Sequence, residues 1–149
     1  MKKLFLLLVL TTLIGCGFKP IYSSDKTNFK IVKIEAEKNL LNKRFSEKLK
    51  AFSNENSNNK FVIKFNIEKN KYIKAKNKRN IPSIFELEID LKLTIIDQSD
   101  NTKSKRMSLK TTYDNNEDKF KLRKYEEELE NTLINQLILD VIDFLSNEK

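Results

Sequence analysis

Apolar and polar residues alternate along three stretches of the chain, and this pattern predicts three β-strands that each bury one face. The first stretch, 60–68, alternates cleanly, and the sequence leaves open whether it continues through Tyr72 and Ile73. The second stretch, 84–97, is the strongest, with apolar residues at every second position from Phe85 to Ile95. A turn then leads into the third stretch, 103–113.

Ahead of these strands, the sequence predicts one more strand followed by a helix. Residues 28–37 place apolar side chains on both faces, which indicates either a bulge or burial on both sides. Asn39 is of a residue type that is favoured at a helix N-cap. The helix after it carries one apolar stripe at spacings of four, four and three, formed by Leu41, Phe45, Leu49 and Phe52.

A long amphipathic helix closes the chain. It is predicted to start near Asp118 or Lys119 and to run for about seven turns, which exceeds the average helix length. Its apolar stripe widens from Leu133 onward, which indicates either a well-buried end against the first helix or a surface that meets another protein. The main stripe comprises Leu122, Tyr125, Leu129, Leu133, Leu137, Val141 and Phe144.

The order of these elements predicts the fold class. A strand, a helix, three strands and a final helix, all of them amphipathic, are consistent with an α+β two-layer sandwich. Its sheet would be four-stranded and mixed, with two helices on one face (β-α-β-β-β-α). If the first two strands are parallel, the crossover between them is expected to be right-handed.

The N-terminal residues predict export and lipid attachment. Met1–Lys3 is positively charged, and Leu4–Leu10 is an apolar run of the kind found in secretory signals. A run this short cannot span a bilayer, which takes about 20 apolar residues. The tetrapeptide Leu13–Cys16 resembles the bacterial lipobox, and the resemblance implies cleavage before Cys16 and acylation of its thiol and amino group. An ordinary signal with a chance cysteine is the alternative.

These features divide the chain into three parts. Residues 1–15 are interpreted as a lipoprotein signal peptide, 16–27 as a lipidated tether and 28–149 as a single α+β domain. Stable anchoring takes more than one acyl chain. The several chains expected on Cys16 would therefore hold the domain on a membrane in the bacterial periplasm. Cys16 is the one cysteine of the chain, so no intrachain disulfide is expected.

The chain is basic, with 29 Lys and Arg residues against 21 Asp and Glu residues. The basicity has two interpretations, the codon bias of an AT-rich genome or the attraction of an anionic partner. Nucleic acid is not predicted as a partner, because the chain is exported and has no helix-turn-helix, finger or aromatic-rich RNA-binding motif. An anionic lipid or glycolipid fits the predicted compartment better.

The side chains available argue against an enzyme. The chain has no His, and its only glycines, Gly15 and Gly17, cannot form a phosphate-binding loop. No catalytic residue, metal site or cofactor is predicted, apart from the covalent lipid on Cys16. The acidic run at 126–130 is interpreted as a solvated helix face. Glu86, Glu88 and Asp90 are expected to meet Lys105, Arg106 or Lys110 across an antiparallel ladder.

The segment Gly15–Tyr22, which reads Gly-Cys-Gly-Phe-Lys-Pro-Ile-Tyr, resembles the start of the mature lipopolysaccharide-assembly lipoproteins of the LptE (RlpB) family. In the alphaproteobacterial branch of that family, a Cys-Gly-Phe-basic-Pro-aliphatic-Tyr pattern follows the lipobox. The chain length, the order of the elements, the long closing helix and the segment Thr111–Asp114 also resemble the family. The closing helix departs from it, because it lacks the Ala-rich character common in that branch.

The resemblance implies a function and a location. Such a protein would be lipid-anchored on the periplasmic side of the cell outer membrane. There it would plug the LptD β-barrel, help the barrel assemble and aid the passage of lipopolysaccharide to the cell surface. A basic surface suits phosphorylated lipid A. Residues 69–82, after the first alternating stretch, are rich in Lys and are predicted to form a basic connection. We predict lipopolysaccharide contacts from this basic connection and from the polar sheet face, at Lys74, Lys76, Lys78, Arg79, Arg106 and Lys110.

A second function class stays open. A free-standing periplasmic lipoprotein without a barrel partner would bind a lipid or an envelope polymer. It would need an enclosed cavity on the order of several hundred Å³ between the sheet and the helices. The continuous apolar stripes predict a filled core instead.

Overall fold

The structure, a computed structural model, describes residues 27–148. The predicted signal peptide, Cys16 and the tether up to residue 26 lie outside the described residues. Four strands and two helices follow one another in the order β-α-β-β-β-α. Their bounds are β1 Lys30–Ala36, α1 Leu40–Lys50, β2 Lys60–Lys76, β3 Pro82–Ile96, β4 Thr102–Asp114 and α2 Lys119–Asn147.

The four strands form one mixed sheet in the order β1-β2-β3-β4. β1 runs parallel to β2, because α1 carries the chain back to the end of the sheet where β1 began. β2 with β3, and β3 with β4, are antiparallel pairs joined by short turns. Residues of both helices belong to one apolar cluster with the same face of the sheet. The predicted fold class is therefore confirmed.

Both helices begin at a side chain that caps them. The Asn39 side chain accepts a hydrogen bond from the backbone N–H of Asn42 at 2.8 Å, which confirms the predicted N-cap. The Asp118 carboxylate accepts from the backbone N–H groups of Phe120 and Lys121 at 3.0 and 3.2 Å. An anion at this position also complements the helix dipole. Within residues 27–148, no helix is long and apolar enough to cross a membrane.

β1 contains the bulge that its two-sided apolar pattern allowed. Its pairing with β2 shifts register between Ile31 and Lys33. Val32, the residue between them, is 58 % exposed. The extra residue changes the phase of the strand, so that Ile31 and Ile34 both pack against the core.

β2 is longer than the clean alternation at 60–68 predicts. It continues to Lys76, so the basic connection expected over 69–82 is reduced to the turn 77–81. β3 pairs with β2 along this extension, as far as Ile73 opposite Phe85 and beyond. Backbone pairing extends the strand over residues whose side chains are mostly solvated, so the side-chain pattern could not define its end.

The apolar core fills the space between the sheet and the helices. The rings of Phe45 on α1 and Phe65 on β2 meet edge to face at 4.9 Å between centroids. The widened apolar stripe of α2 packs in the domain's own core, which confirms the first of its two interpretations. Its buried residues are at most 3 % exposed and comprise Ile134, Leu137, Ile138, Val141, Ile142 and Leu145.

The domain is elongated, and its two ends differ. β2 has 17 residues and therefore spans about 55 Å at roughly 3.3 Å per residue. At one end, here named the tether end, Thr27 donates a hydrogen bond to the carbonyl of Phe52, and Asn28 donates to that of Ser146. At the opposite end, the tip end, lie the turn 77–81 and the start of α2.

Candidate anion-binding surface

Four of the six predicted contact residues lie together at the tip end. Lys74 and Lys76 occupy the last positions of β2. Lys78 and Arg79 follow in the turn 77–81. These four residues are here named the basic tip. The β2–β3 hairpin thus brings them to the extremity of the domain.

Asparagine side chains shape the turn that carries the basic tip. The Asn77 side-chain oxygen accepts hydrogen bonds from the backbone N–H groups of Arg79 and Ile81, at 2.9 and 3.0 Å. Asn80 has a φ of 60°, in the left-handed region that Asn tolerates better than most non-glycine residues. The turn is therefore held by its own residues, and it leaves the side chains of Lys78 and Arg79 exposed.

Most of the basic tip has no ion-pair partner among the described residues. Lys74 is the exception, because its Nζ lies 3.1 Å from Oε2 of Glu86. Large apolar side chains are exposed close by, with Tyr72, Ile73 and Ile81 at 46 %, 51 % and 49 % exposure. Cations without a carboxylate partner next to exposed apolar groups make a surface suited to a phosphorylated amphiphile.

The other two predicted residues, Arg106 and Lys110, lie on β4. They occupy the sheet face that the helices leave uncovered, here named the open face. Arg106 is opposite Lys92 of β3, whereas the basic tip ends beside Pro82. Ten residue steps on β3 separate Pro82 from Lys92, or about 33 Å at roughly 3.3 Å per residue. Lys110, opposite Glu88, lies six residue steps from Pro82, or about 20 Å at roughly 3.3 Å per residue. The six residues therefore do not form one cluster, because Arg106 lies far from the basic tip and Lys110 lies between them. Their role in binding stays a prediction.

An acidic row lies on the open face between the basic tip and Arg106. Glu86, Glu88 and Asp90 occupy alternate positions of β3. Of these, Glu88 lies opposite Lys110 in the ladder, and its carboxylate accepts a hydrogen bond from the Ser108 hydroxyl at 3.1 Å. The expected cross-strand charge pairing is therefore present in register at one position of the row.

Lys105 does not face the acidic row, so the prediction that includes it as a partner of that row was wrong. Its Nζ lies 4.7 Å from the ring centroid of Phe144 on α2. The alternation of β4 turns Lys105 toward the helices at the same time as it turns Arg106 away from them. Lys103, on the same face, forms an ion pair with Glu148. Both lysines attach the end of α2 to β4.

Sequence reasoning did not select two lysines that lie near Arg106 on the open face. Lys64 forms an ion pair with Glu35 at 3.0 Å, and Lys92 forms one with Glu68 at 2.9 Å. The hydrogen bond from Lys92 and its charge, with a smaller contribution from Arg106, hold the pKa of Glu68 below its ordinary value. The alternation of each strand indicated the face of these lysines, but their proximity depends on the register between strands.

Glu130 of α2 is buried among cations instead of solvated. It is 4 % exposed, and Arg44 of α1 and Lys69 of β2 lie 3.0 and 2.6 Å from its two carboxylate oxygens. The interpretation of the acidic run as a solvated face holds for Glu127 and Glu128, which are exposed. It is wrong for Glu130, which lies four residues before the buried Ile134 and shares its side of the helix.

Glu126, one turn earlier on α2, is also drawn toward the sheet. Lys71 of β2 lies 2.5 Å from its Oε1, and the Tyr113 hydroxyl of β4 donates to the same oxygen at 2.7 Å. Partial burial alone would raise the pKa of Glu126, but these two hydrogen bonds outweigh it and hold the pKa below its ordinary value. Burial and the bond to Glu126 raise the pKa of Tyr113.

These contacts attach α2 to its neighbours on the tip side of the main core. We name the group the ion-pair cluster. Its cations connect α1 and β2 to α2, and Tyr113 connects β4 to α2, so the cluster joins four elements through polar contacts. Its members are Arg44, Lys69, Lys71, Tyr113, Glu126 and Glu130.

The surface of residues 27–148 carries open grooves, whereas the side chains between the sheet and the helices, such as Ile63 and Leu137, are fully buried in an apolar core. One groove of about 560 Å³ lies between the end of β1 and α1, and polar residues such as Glu37 and Lys43 line much of it. A second groove of about 340 Å³ lies between the end of α1 and α2 and is apolar. A filled core fits a protein that binds through its surface better than one that encloses a lipid.

The fold is similar to that of solved bacterial lipoproteins. Rare lipoprotein B from Shewanella oneidensis aligns with a TM-score of 0.51 and 12 % identity, over 76 % of this chain and 89 % of that one. An uncharacterized lipoprotein B from Nitrosomonas europaea gives 0.59 and 17 %, over 88 % and 94 %. A minor lipoprotein from Acinetobacter baumannii gives 0.53 and 15 %, over 78 % and 90 %.

The sequence itself matches no protein-family model and no curated protein. At identities of 12 to 17 %, the structural likeness shows a shared fold and nothing about ligands. The fold of this chain is therefore one that bacterial lipoproteins adopt.

Proposed function

We propose that this chain is an outer-membrane lipoprotein of the LptE (RlpB) type. It would plug an LptD-type β-barrel on the periplasmic side, help that barrel assemble and aid the passage of lipopolysaccharide to the cell surface. The fold shared with rare lipoprotein B supports the proposal. So does the sequence from Leu13 to Tyr22, with its lipobox-like tetrapeptide and the motif after it. The proposal includes no catalytic role.

The observation that carries the proposal is the position of the basic tip relative to the tether end. The predicted lipid site, Cys16, precedes Thr27 by eleven residues, and Thr27 lies at the tether end. The basic tip lies at the other end of β2, about 50 Å away at roughly 3.3 Å per residue. The hydrocarbon core of a bilayer is about 30 Å thick. A domain anchored in the periplasmic leaflet and inserted into a barrel could therefore bring its tip to the level of the outer leaflet.

The open face supports the same arrangement, because the interior of a transmembrane β-barrel is polar. On this face, a basic group that includes Lys64 and Arg106 lies next to the acidic row. Such a face can make many polar contacts with the wall of a barrel.

The experiment that tests the proposal is an affinity purification of the tagged, acylated protein from detergent-solubilised membranes, followed by mass spectrometry. A stoichiometric outer-membrane barrel is the expected result. A tagged, unrelated lipoprotein of the same membrane serves as the control for detergent carry-over. Recovery of the protein alone, under conditions in which a known barrel complex survives, would contradict the proposal and favour the free-standing lipid-binding alternative.

A further inference from the structure

The apolar groove between the end of α1 and α2 lies at the tether end. Its volume is about 340 Å³, which is large enough for bulky side chains. Lys48 closes one side by donating a hydrogen bond to Asn135 across the two helices at 2.7 Å. The apolar lining consists of Ala51, Phe52, Ile138 and Leu139.

The chain enters the described domain at the wall of this groove. The Thr27 hydroxyl donates to the backbone carbonyl of Phe52 at 2.7 Å. The Asn54 side chain in turn donates to the carbonyl of Thr27 at 2.8 Å. Phe52 is one of the groove residues, so the residues before Thr27 start from the groove's own edge.

The segment before Thr27 has the composition to fold back into the groove. Phe18, Pro20, Ile21 and Tyr22 supply apolar side chains, and Ser23–Lys26 has the polar composition of a turn. The five residue steps between Tyr22 and Thr27 reach up to about 17 Å. We infer that the segment Phe18–Tyr22 of this same chain packs in the apolar groove and that 23–26 forms the connecting turn.

This docking would set the distance between the membrane and the domain. The eleven residue steps from Cys16 to Thr27 span up to about 38 Å when extended. With Phe18 in the groove, Cys16 would lie within about 7 Å of the helices, at two residue steps. The domain would then be held close to the bilayer by its tether end, instead of moving at the end of a long leash. The inference gives a role to the motif after Cys16 and does not depend on a barrel partner.

Photo-crosslinking in the acylated, membrane-bound protein tests this inference. A photo-activatable phenylalanine analogue would replace Leu139 in one variant and Ala51 in another. Ala51 is exposed, so its replacement leaves the core intact. The Ala51 variant therefore still tests the inference if the change at Leu139 disturbs folding. Gln136, also exposed on α2 and absent from the groove lining, is the matched control position.

The expected result is an intrachain crosslink from both groove positions to peptides within 17–26, with little product from Gln136. The combined substitutions Phe18→Ala and Tyr22→Ala should abolish that product. Crosslinks from the groove to another protein, to a second copy of the chain or to lipid would overturn the inference. A yield at Leu139 and Ala51 no higher than at Gln136 would overturn it as well. The proposed function is tested separately, because a barrel partner is detected by co-purification and not by this intrachain crosslink.

Discussion

Within residues 27–148, two helices cover the sheet at the tether end, whereas α2 alone covers it at the tip end. The main apolar cluster belongs to the tether end and its neighbouring strands, with Phe45, Ile63 and Leu137 all fully buried. At the tip end the buried apolar residues are Leu87, Tyr113 and Leu122, in a separate small cluster. There the ion-pair cluster supplements what little apolar contact is present.

This difference separates the end of the domain that contributes most to stability from the end that is proposed to contact a ligand. Burial of apolar side chains is the main source of stability, and it is concentrated at the tether end. The tip end can therefore expose cations and apolar side chains at little cost to the fold. The comparison predicts that substitutions at the two ends will have unequal effects on stability.

Leu137→Ala is expected to lower the free energy of unfolding by about 2–5 kcal/mol, the range for a buried Leu that leaves a cavity. Leu137 is 0 % exposed in the main core. Leu122→Ala removes the same atoms from the same helix, but at the tip end, where Leu122 belongs to the small cluster. Its expected loss is smaller, since that site can relax into solvent. Urea unfolding of both variants measures the difference, and equal losses would contradict the comparison.

Glu130→Gln is expected to destabilise the domain by about 1–3 kcal/mol, because it weakens hydrogen bonds to a buried group. The loss should stay below that for a fully buried ion pair, because the side chains of Arg44 and Lys69 are 38 % and 47 % exposed and solvent screens them. Glu127→Gln, on the exposed face of the same helix, is the control and should change stability by less than about 0.5 kcal/mol. If Glu130→Gln lowered the free energy of unfolding no more than Glu127→Gln does, the buried contacts of Glu130 would contribute nothing to stability.

The pH dependence of stability reports the contacts of Glu126. The pKa of this carboxyl in the folded state lies below its ordinary value of 4.5, so the folded state favours the charged form. Its contribution is fully present above pH 4.5 and is lost as the pH falls from there through the folded pKa. Unfolding titrations should show a shallower acid-side decline for Glu126→Gln than for the natural chain. Parallel declines would contradict the predicted role of Lys71 and Tyr113 in stabilising the carboxylate.

Much of the fold was predictable from the sequence, because the alternation in β3 and β4 and the stripe of α2 reflect burial on one side. The cap at Asn39 was predictable for the same local reason. The length of β2 was not, since backbone pairing to β3 carries it to Lys76 past the last buried side chain.

The candidate surface was predictable only in part. Strand alternation indicated that Arg106 and Lys110 share the open face, and the clustering of basic residues indicated the tip. The distance of Arg106 from the basic tip depends on strand register, which a single sequence does not specify. The burial of Glu130 follows from its position one helical turn before the buried Ile134, and the inward turn of Lys105 follows from its position two residues before the buried Met107. Both were predictable from these spacings.

Charge reversal of the basic tip most directly tests the claim that the tip end binds lipopolysaccharide whereas the tether end stabilises the fold. The variant would combine Lys76→Glu, Lys78→Glu and Arg79→Glu, and spare Lys74 because of its ion pair with Glu86. The control would combine Lys38→Glu, Lys43→Glu and Lys50→Glu, which change the net charge equally on or beside α1. Stability of the tip variant should change by less than about 0.5 kcal/mol.

The decisive measurement is the affinity of both acylated variants for purified lipopolysaccharide in detergent. The account predicts at least about a tenfold loss for the tip variant, since each basic side chain near an anionic surface contributes about 1 kcal/mol. The control variant should bind almost as the natural chain does. Unchanged binding by the tip variant, or an equal loss in both variants, would contradict the account, because the second outcome would mean that net charge alone governs binding.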